Sequence, residues 1–248
     1  TVLLAFFLFK PRFIDLAISE LPFQFYIPLI ILLPSLFIFI ALAIKYSGMV
    51  KTDVAQRMSL FIPLIASFTL FNETLRLNTG LGILVGLIAV GCSISWTRAA
   101  GEEQSRKSFS YPLIVFLGMG IIDVLFKQIA LHKEVPYTTA LFIVFVGAMV
   151  FAFLLLFWRV CIHKERFDRK AIVWGCGLGI FNFANIYFYM NAHRVLTDNP
   201  SIVFTSMNIG VIVLGTLVGV ALFKEKLSRI NLIGLVLAIF SIFLITYL

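Results

Sequence analysis

Charge is what this sequence has least of. Only 13% of its 248 residues are Asp, Glu, Lys or Arg, about half the share of a soluble domain, which leaves too little polar surface to cover a water-soluble globule. Its three cysteines, Cys92, Cys161 and Cys176, stand far apart with no CxxC or Cys/His spacing. A disulfide frame and a metal site are therefore not expected, and the cysteines read as packing residues. His132, His163 and His193 lie at the edges of apolar stretches and pair with no Ser, Cys or acid at catalytic spacing. HExxH, GxSxG and Walker A are absent, which argues against an intramembrane protease or an ATP-driven pump. An enzyme is not expected, and neither is a cofactor. No hydrophilic stretch is long enough to fold as a separate soluble domain.

What is present is apolar. Hydrophobic residues make up 61% of the chain and the mean hydropathy is +1.04, so the solvent this chain needs is a lipid bilayer. Uncharged stretches run over 21–44, 77–97, 135–158, 171–193, 199–223 and 230–248, each near the ~20 residues that cross a ~30 Å hydrocarbon core. Two further spans are interrupted only by isolated charges, 54–72 by Arg57 and 111–131 by Asp123 and Lys127. Residues 1–9 form a stub too short to cross, without the charged n-region and small-residue cleavage site of a signal peptide.

The formal net charge of +8 invites a nucleic-acid reading, but basic residues of membrane proteins collect on one side as topology determinants, and no nucleic-acid partner is expected. If consecutive spans alternate, the linkers 45–53, 98–110, 159–170 and 224–229 share one side and carry thirteen Lys/Arg, against three in 73–76, 132–134 and 194–198. The positive-inside rule then predicts the first group in the cytosol and the C-terminus outside.

An internal repeat organises the chain. Phe71-Asn72-Glu73-Thr74-Leu75 with Gly82, and Phe223-Lys224-Glu225-Lys226-Leu227 with Gly234, give F-x-E-x-L-x6-G twice at an offset of 152. A weaker match pairs Leu8-Phe9-Lys10 with Leu125-Phe126-Lys127. The charge count sets Glu73 and Glu225 on opposite sides of the membrane. Two inverted halves are a transporter layout, with the substrate between them near the midplane. The expected fold is thus all-α and integral to the membrane, two inverted repeats of five transmembrane helices. The first repeat is 1–97, a cytosolic linker 98–110 and the second repeat 111–248.

These duplicated elbows, with the Lys closing the first span of each half, resemble the EamA-like branch of the drug/metabolite transporter superfamily over essentially the whole chain. The resemblance implies ten helices, a central cavity and secondary or facilitative transport of amino acids, metabolites or amphipathic compounds. A multi-pass protein of the bacterial inner membrane is the implied setting. The first half departs from that pattern. About sixty residues separate Lys127 from Tyr189, and about thirty separate Lys10 from Ile40, a deficit of roughly one span plus a loop. The spacing predicts that the second helix of the first repeat, with the start of the first, is missing. About nine helices are expected, with a break between Lys10 and Leu21.

Asn182, Asn185 and Tyr189 fall within about 60° on one helix face. Amides in hydrocarbon are costly, so this face looks at protein or a wet cavity. Interhelical hydrogen bonding is the bland reading, and the length of the stripe favours a cavity. Asp123 and Lys127, four apart on one face, read as a structural ion pair or as substrate or coupling groups. Asn208 shares a stripe with Gly215 and Gly219 and reads as helix packing or a substrate contact; Gly82/Gly86 and Gly175/Gly179 read as packing notches. Gln56 and Arg57 open a span, with a headgroup contact and a cavity role equally open. For Glu73 and Glu225, capping the following helix is preferred to gating.

A small neutral or zwitterionic solute with apolar surface suits these aromatic-rich spans. A strongly anionic cargo would need several inward Lys/Arg. The rival expectations are a non-transporting scaffold and, with less support, a lipid-modifying enzyme.

Overall fold

The computed structural model describes residues 1–9, 21–74, 77–93, 106–132, 135–162, 169–223 and 229–247. They form ten helices: α1 (Val2–Phe9), α2 (Phe23–Ser47), α3 (Met49–Met58), α4 (Phe61–Thr69), α5 (Leu77–Ser93), α6 (Arg106–Leu131), α7 (Tyr137–Ile162), α8 (Arg169–Val195), α9 (Pro200–Phe223) and α10 (Arg229–Tyr247). A helix falls within each expected span. Four helical stretches, Phe23–Ser47, Ser110–Leu131, Tyr137–Ile162 and Ala171–Val195, are long and apolar enough to cross a membrane. The 27 residues of α8 extend about 40 Å at 1.5 Å each.

The count of ten, one more than expected, arises because 54–72 is two helices. Pro63 lacks the N–H that would bond the Ser59 carbonyl in a continuous helix. The Ile62 N–H takes that carbonyl instead at 3.0 Å, one residue tighter than the α-helical bond, and the Ser59 hydroxyl donates to the Gln56 carbonyl at 2.6 Å. The helix therefore breaks at Ser59–Leu60 and restarts with Pro63 in the first turn of α4, where a proline is tolerated. The expected break between Lys10 and Leu21 lies outside the described residues, as does the Glu225 elbow. Gly48 joins α2 to α3 at φ +82, a left-handed conformation that side chains with a Cβ resist.

The chain forms two compact units, 1–38 with 125–195, and 39–124 with 196–248. Each draws on both halves of the sequence. In the first unit α1 packs on α7 and α8, and the Ile30 side chain lies where a Cβ on Gly147 would stand. In the second, α5, α9 and α10 pack together, with α4 against α9. Leu64 and Ile83 are buried against Phe68, Leu87 and Ile202, while Ala89, Ile209 and Ala238 form a second cluster. Large apolar side chains such as Trp174 and Phe153 remain exposed. In water they would be an aggregation liability; in a bilayer that surface meets acyl chains.

The expected packing glycines divide. A Cβ on Gly86 would stand 2.8 Å from Ser241 Oγ and 2.9 Å from Ile209 Cδ1, so Gly86 is a true notch where α5 meets α9 and α10. Gly82 gives its carbonyl to the Ser241 hydroxyl at 2.7 Å. Gly215 and Gly175 are not notches: among the described residues nothing lies within 4 Å of a Cβ at either. A small residue permits close approach, but another helix must be there to use it.

The Glu73 elbow caps a helix distant in sequence. Asn72 adopts φ +52, a left-handed conformation that asparagine tolerates, and this turns the chain out of α4. The Glu73 carboxylate then accepts from the backbone N–H of Ser201 at 2.9 Å and from its hydroxyl. Pro200 opens α9 without an N–H, so Ser201 carries the first free donor of that helix, and a negative charge there also meets the positive end of the helix dipole. The first copy of the repeated motif is thus a joint: its Glu pins α9 and its Gly receives α10.

Candidate functional site

The polar stripe of α8 crosses three environments. Asn182 is half-buried, Asn185 exposed and Tyr189 buried. His193 continues the same face one turn further and is fully buried, and it was not among the expected site residues. Its spacing of four from Tyr189 was the available signal.

At the C-terminal end of α8 the first unit brings several of these groups together. Lys127 is 0% exposed, and its Nζ lies 3.4 Å from the His193 carbonyl, a long contact by hydrogen-bond standards. That carbonyl belongs to the last turn of α8, where partial negative charge accumulates and a cation is favoured. The Tyr189 ring stands edge-on to Phe126 at 6.3 Å and to His193 at 4.6 Å, so an aromatic cluster joins α6 and α8 where the buried Lys127 meets the His193 carbonyl. Asp123 sits one turn earlier on α6, half-buried.

Toward the middle of α8, a cleft of about 520 Å³ opens among α1, α2, α7 and α8. Asn182 projects into it beside Cys176 and Thr1, and Phe37, Phe145 and Phe153 supply much of the apolar wall. Both its volume and its wall suit a small ligand, an apolar enclosure with few polar groups to fix orientation. A second hollow, about 640 Å³, is lined among the described residues by α7 alone, including Phe153, Phe157 and Cys161. Those residues offer no strongly polar side chain to orient a solute and lie along an apolar helix face.

The remaining site candidate is in the second unit. Asn208 is half-buried and its Nδ2 donates to the Phe204 carbonyl of its own helix at 3.0 Å, a local bond that leaves the amide partly committed. Asn182 therefore lines a cavity, Tyr189 and Lys127 share a packed junction, and Asn208 bonds within its own helix in the second unit. Among the described residues there is no group of three or more His, Cys, Asp or Glu able to hold a metal ion.

Comparison with known proteins gives this arrangement a setting. Residues 108–247 match the EamA-like transporter family. An uncharacterized protein of Haemophilus influenzae is 36% identical over 249 residues, a match covering 98% of this chain and 84% of that protein. A solved crystal structure of a protein superposes with a TM-score of 0.62 at 15% identity, over 93% of this chain and 79% of the other. At that identity the likeness is one of fold.

Proposed function

Because the chain belongs to the EamA-like transporter family, a branch of the drug/metabolite transporter superfamily, we propose that it carries a small neutral or zwitterionic metabolite, an amino acid or an amphipathic compound, across the membrane without ATP. The carrier alternates access between its two inverted repeats, in a bacterial inner membrane. The observation that carries this reading is the 520 Å³ cleft with Asn182 on its wall. One amide offers both a donor and an acceptor to a polar group, while the phenylalanines take an apolar body. Asn185, exposed on the same face, provides the next polar contact along the path, since an exposed amide at that depth requires water or cargo.

Asp123, Lys127, Tyr189 and Asn208 complete the proposed set in different capacities. Lys127 and Tyr189 hold the α6–α8 junction that orients the Asn182 face, and a buried Lys is retained in a membrane helix only where its charge is answered. Asp123, one turn away, balances that charge, and Asn208 offers a substrate contact in the second unit.

Uptake into sealed proteoliposomes tests the reading. A hydrogen bond to a neutral solute contributes ~1 kcal/mol, so Asn182→Ala should weaken transport affinity about fivefold at wild-type protein levels. A wild-type protein that moves no amino acid or amphipathic solute would instead support a scaffold. Full activity in the Asn182→Ala, Asn185→Ala double variant would show that the stripe only packs.

A further inference from the structure

We propose that Asp53 and Arg57 on α3 are the recognition site for the two charged ends of a zwitterionic cargo, binding its carboxylate through Arg57 and its ammonium through Asp53. This goes beyond the carrier reading above, at residues other than those of the Asn182 cleft, and rests on it. The two residues lie four apart on one face of α3, and Arg57 Nε donates to Asp53 Oδ2 at 2.8 Å, with side chains 24% and 47% exposed. That bond occupies one of the five guanidinium donors. Arg57 Nη1 is shielded from solvent and has no hydrogen-bond partner among the described residues. A shielded, charged donor without an acceptor is unfavourable, so this edge of the guanidinium calls for an oxygen that α3 does not supply.

The missing acceptor is an oxyanion, because the planar fork of Arg matches a carboxylate or phosphate through paired N–H donors. Charge balance selects between them. The pair itself is neutral, and a solute whose own charges cancel keeps it so, whereas an anion alone would leave Asp53 unanswered or repelled. A zwitterion with adjacent charges, as in an α-amino acid, replaces the single intrahelical bond with two contacts of matched sign.

Position supports the same assignment. α3 is the polar member of an apolar set, and the ion pair stands one turn before the break at Ser59–Leu60. Discontinuous membrane helices frame the binding sites of many secondary transporters, and Arg57 opens the expected span 54–72 with Asp53 just before it.

The test uses the full chain, purified and reconstituted, with a mixture of the twenty common amino acids, the same acids as carboxamides and the same acids N-acetylated. Wild-type protein should be thermally stabilised by the free acids and transport them, while blocking either end removes both effects. Arg57→Gln and Asp53→Asn should each weaken binding of the free acids at least tenfold, and Arg57→Lys, which keeps the charge but loses the fork, should fall between. A half-exposed pair spaced four apart contributes little to folding, and unchanged ligand-free melting of Asp53→Asn checks this. Wild-type affinity for free acids in both variants overturns the proposal. So does a loss confined to stabilisation by phosphatidylglycerol over phosphatidylcholine vesicles, which would make Arg57 a lipid-headgroup contact. Equal transport of blocked and free acids overturns this assignment alone and leaves the carrier reading standing; wild-type vesicles that move none of these solutes or an amphipathic compound overturn both.

Discussion

Replacing Glu73 by Ala removes two acceptor contacts from the start of α9, the 2.9 Å bond from the Ser201 N–H and the bond from its hydroxyl. Hydrogen bonds to a charged partner contribute ~1.5–3 kcal/mol each when shielded. Glu73 is only half-buried, which places the pair together near ~2 kcal/mol, with ~0.5 kcal/mol of that from the helix dipole. For a chain of this size that corresponds to a fall in Tm of roughly 4–8 °C. Glu73→Gln retains an acceptor oxygen but no charge and should lose about half as much. Because Glu73 and Ser201 touch, their effects should not add: a double-mutant cycle with Ser201→Ala should give a coupling near ~1 kcal/mol. The measurement is thermal unfolding of the purified single and double variants. A Glu73→Ala protein that melts with wild type, or single effects that add fully, would refute the capping argument. Lost transport at unchanged stability would favour a gate at this elbow.

Other substitutions probe separate joints. Gly86→Leu should sharply reduce folded yield, since even its Cβ would press on Ser241 and Ile209, whereas Gly215→Leu should be tolerated in the same expression assay. Gly48→Ala should cost about 1 kcal/mol or more in thermal unfolding, because φ +82 strains any residue with a Cβ. Lys127→Met keeps the bulk of the side chain but leaves the last turn of α8 without its cation; proteolysis near Val195 should quicken while the intact protein still inserts.

The span pattern was legible because a bilayer imposes one length and one chemistry on every crossing segment, and a helix falls within each of the eight expected stretches, 54–72 holding a broken pair. What failed to show in the sequence was partnership. Gly86 and Gly215 look alike as small residues in apolar runs, but only Gly86 has a side chain pressed against it. Glu73 announced an elbow and a cap, yet its partner is 128 residues away on α9, beyond any local reading. His193 was hidden for the same reason, since Lys127 reaches its carbonyl from α6, 66 residues away. Of the α8 stripe, periodicity gave the shared face correctly. It could not give the depth at which each side chain stops, which sets Asn182 in a cleft and Tyr189 in a packed junction.

The repeat also makes a difference between the halves interpretable. At the offset of 152, Pro63 corresponds to Gly215 and Gln56 to Asn208, so each repeat carries a helix-weakening residue seven positions after an amide. Only proline removes a donor, and only the first repeat is broken, whereas α9 runs unbroken through Gly215 from Pro200 to Phe223. If the break serves movement, then Pro63→Ala should restore the bond to the Ser59 carbonyl and fuse α3 with α4 into one helix of about 20 residues, the length of a full span. Adding the missing bond should raise stability by ~1 kcal/mol and slow transport, with binding little changed because Asp53 and Arg57 keep their spacing on α3. Gly215→Ala, in a helix already continuous, should also gain a little stability from helix propensity but leave transport at its wild-type rate. Thermal melts paired with vesicle uptake separate the cases. A Pro63→Ala protein that is less stable, or that transports at the wild-type rate, would show that the break only accommodates local packing.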